Sequence, residues 1–158
     1  MKKLIIANWK CNPTSLKEAE ILFNSVKSSV SKIKNSEVII CPPFVYLQSL
    51  KGLNLGAQDV FYKEQGAFTG EISPLMLRDL GVDYAIVGHS ERRSLGETDD
   101  IVNKKVRASL DSGLKPILCV GEKDGEDKQE IFKTLCNLLL NDFLFIFTIF
   151  FSDAQNWF

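Results

Sequence analysis

One histidine, His89, is all that this chain of 158 residues contains. Its four cysteines, Cys11, Cys41, Cys119 and Cys136, form no C-x-x-C pair. Together these scarcities argue against a zinc site, which draws its ligands from clustered Cys and His. The expectation is reduced structural thiols in a cytoplasmic protein, with no metal and no cofactor. An excess of charge of one sign is also missing. The 19 basic residues stand against 20 acidic ones, which argues against nucleic acid or a membrane surface as partner. Long apolar runs are absent too. Phe143–Phe151 holds one polar residue, Thr148, and nine residues are too few to span a bilayer as a helix. Met1-Lys2-Lys3-Leu4 has the outline of a signal peptide, but the apolar run stops after Ala7 and no cleavage pattern follows.

What is present alternates strand-like with helix-like segments, the pattern of βα units and a parallel sheet. The strand-like runs are 3–7, 37–41, 54–58, 84–87 and 116–120. A helix is expected over 15–32, with Ser15 and Glu18 forming a capping box and Leu16, Ala19, Leu22, Phe23, Val26 and Val30 on one face. Pro42-Pro43 stops the second strand, because proline donates nothing to a ladder. A short helix around 45–50 leads to the third strand. Pro74 sits at the favoured first position of a helix running to Leu80. Thr98–Ser112 reads as another helix, closed by Gly113. This is an α/β chain with about five βα units.

Beyond Leu135 the composition shifts. No Lys or Arg follows Lys133, no Glu follows Glu130, and six of the 11 phenylalanines fall between Phe143 and Phe158. The division expected is 1–135 and a divergent, Phe-rich tail over 136–158. Phe145–Phe151 has high strand propensity and is placed to cover the open edge of the fifth strand. Left exposed, such an uncharged aromatic run is an aggregation hazard.

Two places look chemical. At Gly88-His89-Ser90-Glu91-Arg92-Arg93, an apolar strand ends in glycine and delivers the histidine to a helix start. Free N–H groups and partial positive charge there lower an imidazole's proton affinity, so it stays neutral and donates a hydrogen bond. A structural histidine is the plainer alternative. At the first strand's end, Asn8 and Lys10 alternate and so point the same way. A strand simply leaving the core would look similar. A third segment, Asn54–Gln58 followed by 63–73, is a short strand entering a loop rich in Gly and Thr.

Ala7-Asn8-Trp9-Lys10, Gly66-Ala67-Phe68-Thr69-Gly70-Glu71, Gly88–Arg93 and Cys119-Val120-Gly121-Glu122 together, in order and spacing, resemble the triosephosphate isomerase family over roughly Met1 to Leu135. The resemblance implies a TIM (β/α)8 barrel, a homodimer, and an isomerase of glycolysis and gluconeogenesis that interconverts dihydroxyacetone phosphate and glyceraldehyde 3-phosphate. That barrel takes about 250 residues, so an incomplete one is expected here. By resemblance, Lys10, His89 and Glu91 are catalytic, and Asn8 and Lys10 bind the triose phosphate. The family is itself a standard case of a neutral electrophilic histidine. Glu91 would hold Lys10, although a first-turn carboxylate serving the helix dipole is the plainer role. Arg92 and Arg93 are assigned to structural ion pairs, and Glu122 to the barrel rim. The family's base, a glutamate in an Ala-Tyr-Glu-Pro-Val-Trp-like motif after the sixth strand, has no counterpart. Asp153, the one carboxylate after that point, is too short to replace it. The expectation is a truncated isomerase with low activity alone. Its rivals are a non-catalytic fragment and half of a split enzyme, each acting through association. The surfaces for association are the loop Gln58–Glu71 and the apolar tail; the resemblance implies that this loop reaches into the neighbouring subunit, with Thr69 near the other active site.

Overall fold

The computed structural model describes residues 3–121 and, as backbone, 146–150. Glu122, Cys136, Asp153 and the Phe-rich tail apart from 146–150 lie outside them. Strands β1 (Lys3–Asn8), β2 (Ser36–Cys41), β3 (Asn54–Ala57), β4 (Tyr84–Val87), β5 (Lys115–Gly121) and β6 (Ile146–Phe150) form one sheet in sequence order. Every pairing is parallel. The connections carry helices α1 (Leu16–Val30), α2 (Phe44–Leu47), α3 (Pro74–Asp79), α4 (Ser90–Ser94) and α5 (Asp99–Asp111). This is an incomplete TIM barrel. Its sixth strand falls where the high strand propensity of the apolar run placed it, covering the edge of β5.

Local signals explain the helix starts. Ser15 Oγ accepts the N–H of Glu18, the first half of the expected capping box, and donates to the Glu18 carboxylate at 2.8 Å. Ser73 caps α3 and Thr98 caps α5 in the same way, each through its side-chain oxygen.

Alternation along the strands splits the core into two layers. Val38, Ile40, Leu55, Ala57, Ala85, Val87 and Leu118 face the helices, where they meet Ala19 and Phe23 of α1 and Val102 and Val106 of α5. Ile39, Cys41, Tyr84, Ile86, Ile117 and Cys119 form the inner layer, with Leu4 and Ile6 against it. Inner residues are buried because the sheet curls. Burial pushes the thiols of Cys41 and Cys119 up to about 12, and Cys119 contributes to the rise at Cys41 although two strands separate them in the sheet. At the N-terminal ends of the strands, Glu37 Oε1 accepts from Tyr84 OH at 2.6 Å and from Asn54 Nδ2 at 2.9 Å. The Lys115 ammonium lies 5.0 Å from the centre of the Tyr84 ring. Burial, followed by the hydrogen bond to Glu37, holds the Tyr84 phenol well above its ordinary range. A polar network therefore fills one mouth of the curl and leaves the C-terminal ends of the strands for chemistry. Among the described residues no helix is long and apolar enough to cross a membrane.

Candidate functional site

The first strand delivers its cation through an unusual backbone turn. Asn8 is the last residue of β1, and its Oδ1 accepts the N–H of Lys10 at 2.9 Å. Lys10 has φ 54°, left-handed and not glycine, a conformation that costs roughly 1–2 kcal/mol. The peptide is held from three sides. Trp9 N–H donates to Cys41 O at 3.0 Å. Gln58 Nε2 donates to Lys10 O at 2.8 Å and to Cys41 O at 2.9 Å. Asn8 thus sets the direction of Lys10 through the backbone.

The fourth strand delivers the histidine. Tyr84–Val87 is buried throughout, and Gly88 turns the chain with φ 71°. A β-carbon at Gly88 would stand 3.0 Å from Val102 Cγ1, so both conformation and space call for glycine. His89 then occupies the N-cap of α4, with Nδ1 accepting the Glu91 N–H at 3.2 Å. A nitrogen that accepts carries no proton, so the neutral ring carries it on Nε2. The 3.5 Å approach of Glu91 Oε2 to the same Nδ1 is therefore no ion pair. His89 is 6 % exposed. Burial lowers its proton affinity, Glu91 opposes that, and Lys10 adds to the lowering.

Glu91 joins the two strands. Its Oε1 lies 2.9 Å from Lys10 Nζ, and both side chains are half exposed. A pair so hydrated contributes at most about 1 kcal/mol to stability; its value lies in placement. Asn8, Lys10, His89 and Glu91, each singled out in the sequence, thus meet at the C-terminal end of the sheet, where barrels of this architecture hold their sites. Arg92 and Arg93 engage other groups. Arg93 donates to Gly88 O at 2.9 Å and pairs with Asp99 at 2.6 Å, while Arg92 pairs with Asp59 and Glu97. Thr69 stands exposed in the loop after β3.

Two participants escaped the sequence reading. Gln58 stands out in the sequence as the end of the third strand and the start of a loop, and its partners lie 48 and 17 residues away. Lys105 left a clearer trace. It shares the spacing 102, 105, 106, 109 with Val102, Val106 and Ser109, the buried face of α5, where a lysine requires an explanation.

Chemically, the site offers a half-exposed ammonium, a neutral imidazole with its Nε2–H, and one glutamate that holds the first by its carboxylate and the second by its backbone N–H. That set suits an anionic substrate on which negative charge grows at oxygen. The family model described as triosephosphate isomerase matches residues 3–147. A triosephosphate isomerase of Dehalococcoides mccartyi (strain BAV1) is 52 % identical over 136 residues, which is 81 % of this chain and 53 % of that protein. That of Aquifex aeolicus is 48 % identical over 133 residues, 80 % of this chain and 53 % of the relative. That of Trichodesmium erythraeum is 44 % identical over 154 residues, 89 % and 64 %. The chain spans about half the length of the first of these relatives.

Proposed function

The chain belongs to the triosephosphate isomerase family, and from that premise we propose that its site is the N-terminal half of a centre interconverting dihydroxyacetone phosphate and D-glyceraldehyde 3-phosphate, in glycolysis and gluconeogenesis. One observation carries this reading: Glu91 holds Lys10 Nζ with its carboxylate and His89 Nδ1 with its backbone N–H. One residue fixes both electrophiles.

The reaction removes a proton beside a carbonyl, and negative charge spreads over two oxygens as an enediolate forms. The Lys10 ammonium attracts the phosphorylated substrate and lowers the energy of that charge. The Nε2–H of neutral His89 donates to the substrate oxygens; a neutral donor is better matched to the reaction than an imidazolium, which would protonate the enediolate too readily. Asn8 keeps Lys10 aimed. No Tyr-Glu-Pro-Val-Trp-like segment occurs among the 158 residues, and a positioned general base is worth about 10²–10⁴-fold. This polypeptide alone should therefore turn over at least about 10²-fold more slowly than a full-length relative. The assay is isomerisation of glyceraldehyde 3-phosphate by protein free of host isomerase, with His89→Gln as control. Near-normal turnover abolished by His89→Gln would overturn the half-site reading.

A second reading is association with a polypeptide that supplies further βα units. It is favoured by β1, which has only β2 as neighbour among the described residues, and by Ile5 on that strand, 46 % exposed. Turnover that appears only on adding the C-terminal half of a relative would select it. Self-association as a homodimer through the loop 58–71, and a cytoplasmic location, complete the proposal.

A further inference from the structure

Behind the site lies a closed ring of four charges. Lys105 is 3 % exposed. Its ammonium donates to Asp59 Oδ1 at 2.7 Å and Oδ2 at 2.8 Å, and to Glu97 Oε1. Both carboxylates are shared with a second cation: Arg92 Nη2 lies 3.1 Å from Asp59 Oδ2, and Arg92 Nε 2.8 Å from Glu97 Oε1. Apolar side chains of similar volume often serve stability as well as a buried ionic cluster does. Glu97 Oε2 is moreover buried without a hydrogen-bond partner among the described residues, an arrangement stability alone would not select.

The ring's position in the chain suggests what it does. Asp59 follows Gln58, whose amide holds the Lys10 carbonyl. Arg92 follows Glu91, which holds Lys10 Nζ and His89 Nδ1. Helix α4, the carrier of Glu91, is five residues long and contains no buried residue. Packing therefore does little to fix it, and the ion pairs of Arg92 and Arg93 must. We propose that Lys105 and Arg92 are positioning residues for the site: through Asp59 and Glu97 they lock the strand-end segment that clamps Lys10 to the short helix that presents His89 and Glu91. The inference uses the isomerase reading only to name the site. Within the ring the carboxyls diverge. Burial raises Asp59 above its ordinary range despite Lys105. At Glu97 burial acts in the same direction, but the bonds from Lys105 and Arg92 win and hold it below its ordinary range.

The lone histidine allows a test without turnover, because its imidazole gives a single titrating signal by NMR. Arg92 is 41 % exposed, so Arg92→Lys keeps the charge, should keep the fold, and loses the fork that spans two carboxylates. With α4 loosened, Nδ1 loses the Glu91 N–H and the ring gains water. The His89 pKa should rise toward its ordinary value by about half a unit, a threefold gain in proton affinity. Lys105→Met should move it in the same direction, with circular dichroism to verify folding. An unshifted titration in folded Arg92→Lys overturns the proposal, even if Lys105→Met shifts, because charge alone would then be at work. Loss of fold on Arg92→Lys also overturns it, since the ring would then serve stability. Inactivity of the chain would leave the inference standing, and an unshifted titration would leave the isomerase reading standing.

Discussion

At Lys10 the backbone takes a left-handed turn that lysine rarely adopts, and two amide side chains, those of Asn8 and Gln58, hold it there. The energy goes into direction: an ammonium at the strand end reaches Glu91 instead of open water. His89 shows the same trade in protonation. Its folded-state pKa is lowered, first by burial, so protons bind the unfolded chain preferentially. The stability contribution is intact above pH about 6.5 and is lost as pH falls from there toward the folded pKa. Urea unfolding at pH 7.5 and 5.5 should therefore show a larger loss in the parent than in His89→Gln. Asp59 and Glu97 titrate in both proteins and cancel in that difference. Equal losses would mean that the imidazole is not held neutral by the fold. Asn8, Lys10, His89 and Glu91 were legible because each stands where a strand ends, beside an abrupt change of polarity. Gln58 and Lys105 act across nearly fifty residues, and no local pattern encodes such a distance.

Among the elements, legibility followed length and punctuation. Helix α1 carries a Ser15 cap and an apolar face over 15 residues, and its span agrees with expectation to within two residues. Strand β4 agrees at both ends. Helix α4 is different. It shows in the sequence only as a helix start, because five residues are too few for a 3.6-residue period to register, and Gly96 at φ 103° separates it from α5. The turn before it gives an element-scale prediction. Gly88→Ala forces a side chain into left-handed geometry against Val102 and should cost about 2 kcal/mol. The denaturant midpoint should fall without a change of slope. An unchanged midpoint would show that the strand-to-helix turn tolerates another path.

For the whole molecule, the sheet's two ends differ from its middle. Strand β4 has a neighbour on each side and four buried residues. Strand β1 has one neighbour among the described residues and a half-exposed Ile5. Hydrogen exchange should be faster in Lys3–Asn8 than in Tyr84–Val87 of the verified monomer, because edge amides open without unfolding the centre. Equal, strong protection would mean that something pairs with the β1 edge. That Cys41 of β2 and Cys119 of β5 share one inner cluster has a consequence of its own. Strands β2 and β5 can face one another only if the sheet already bends like an arch built from one abutment, without waiting for a keystone. Curvature is then an inheritance of each βα step, written in the local twist and in the small and large side chains of the inner layer. Whatever meets the free end of such an arch finds a seat already cut to its angle.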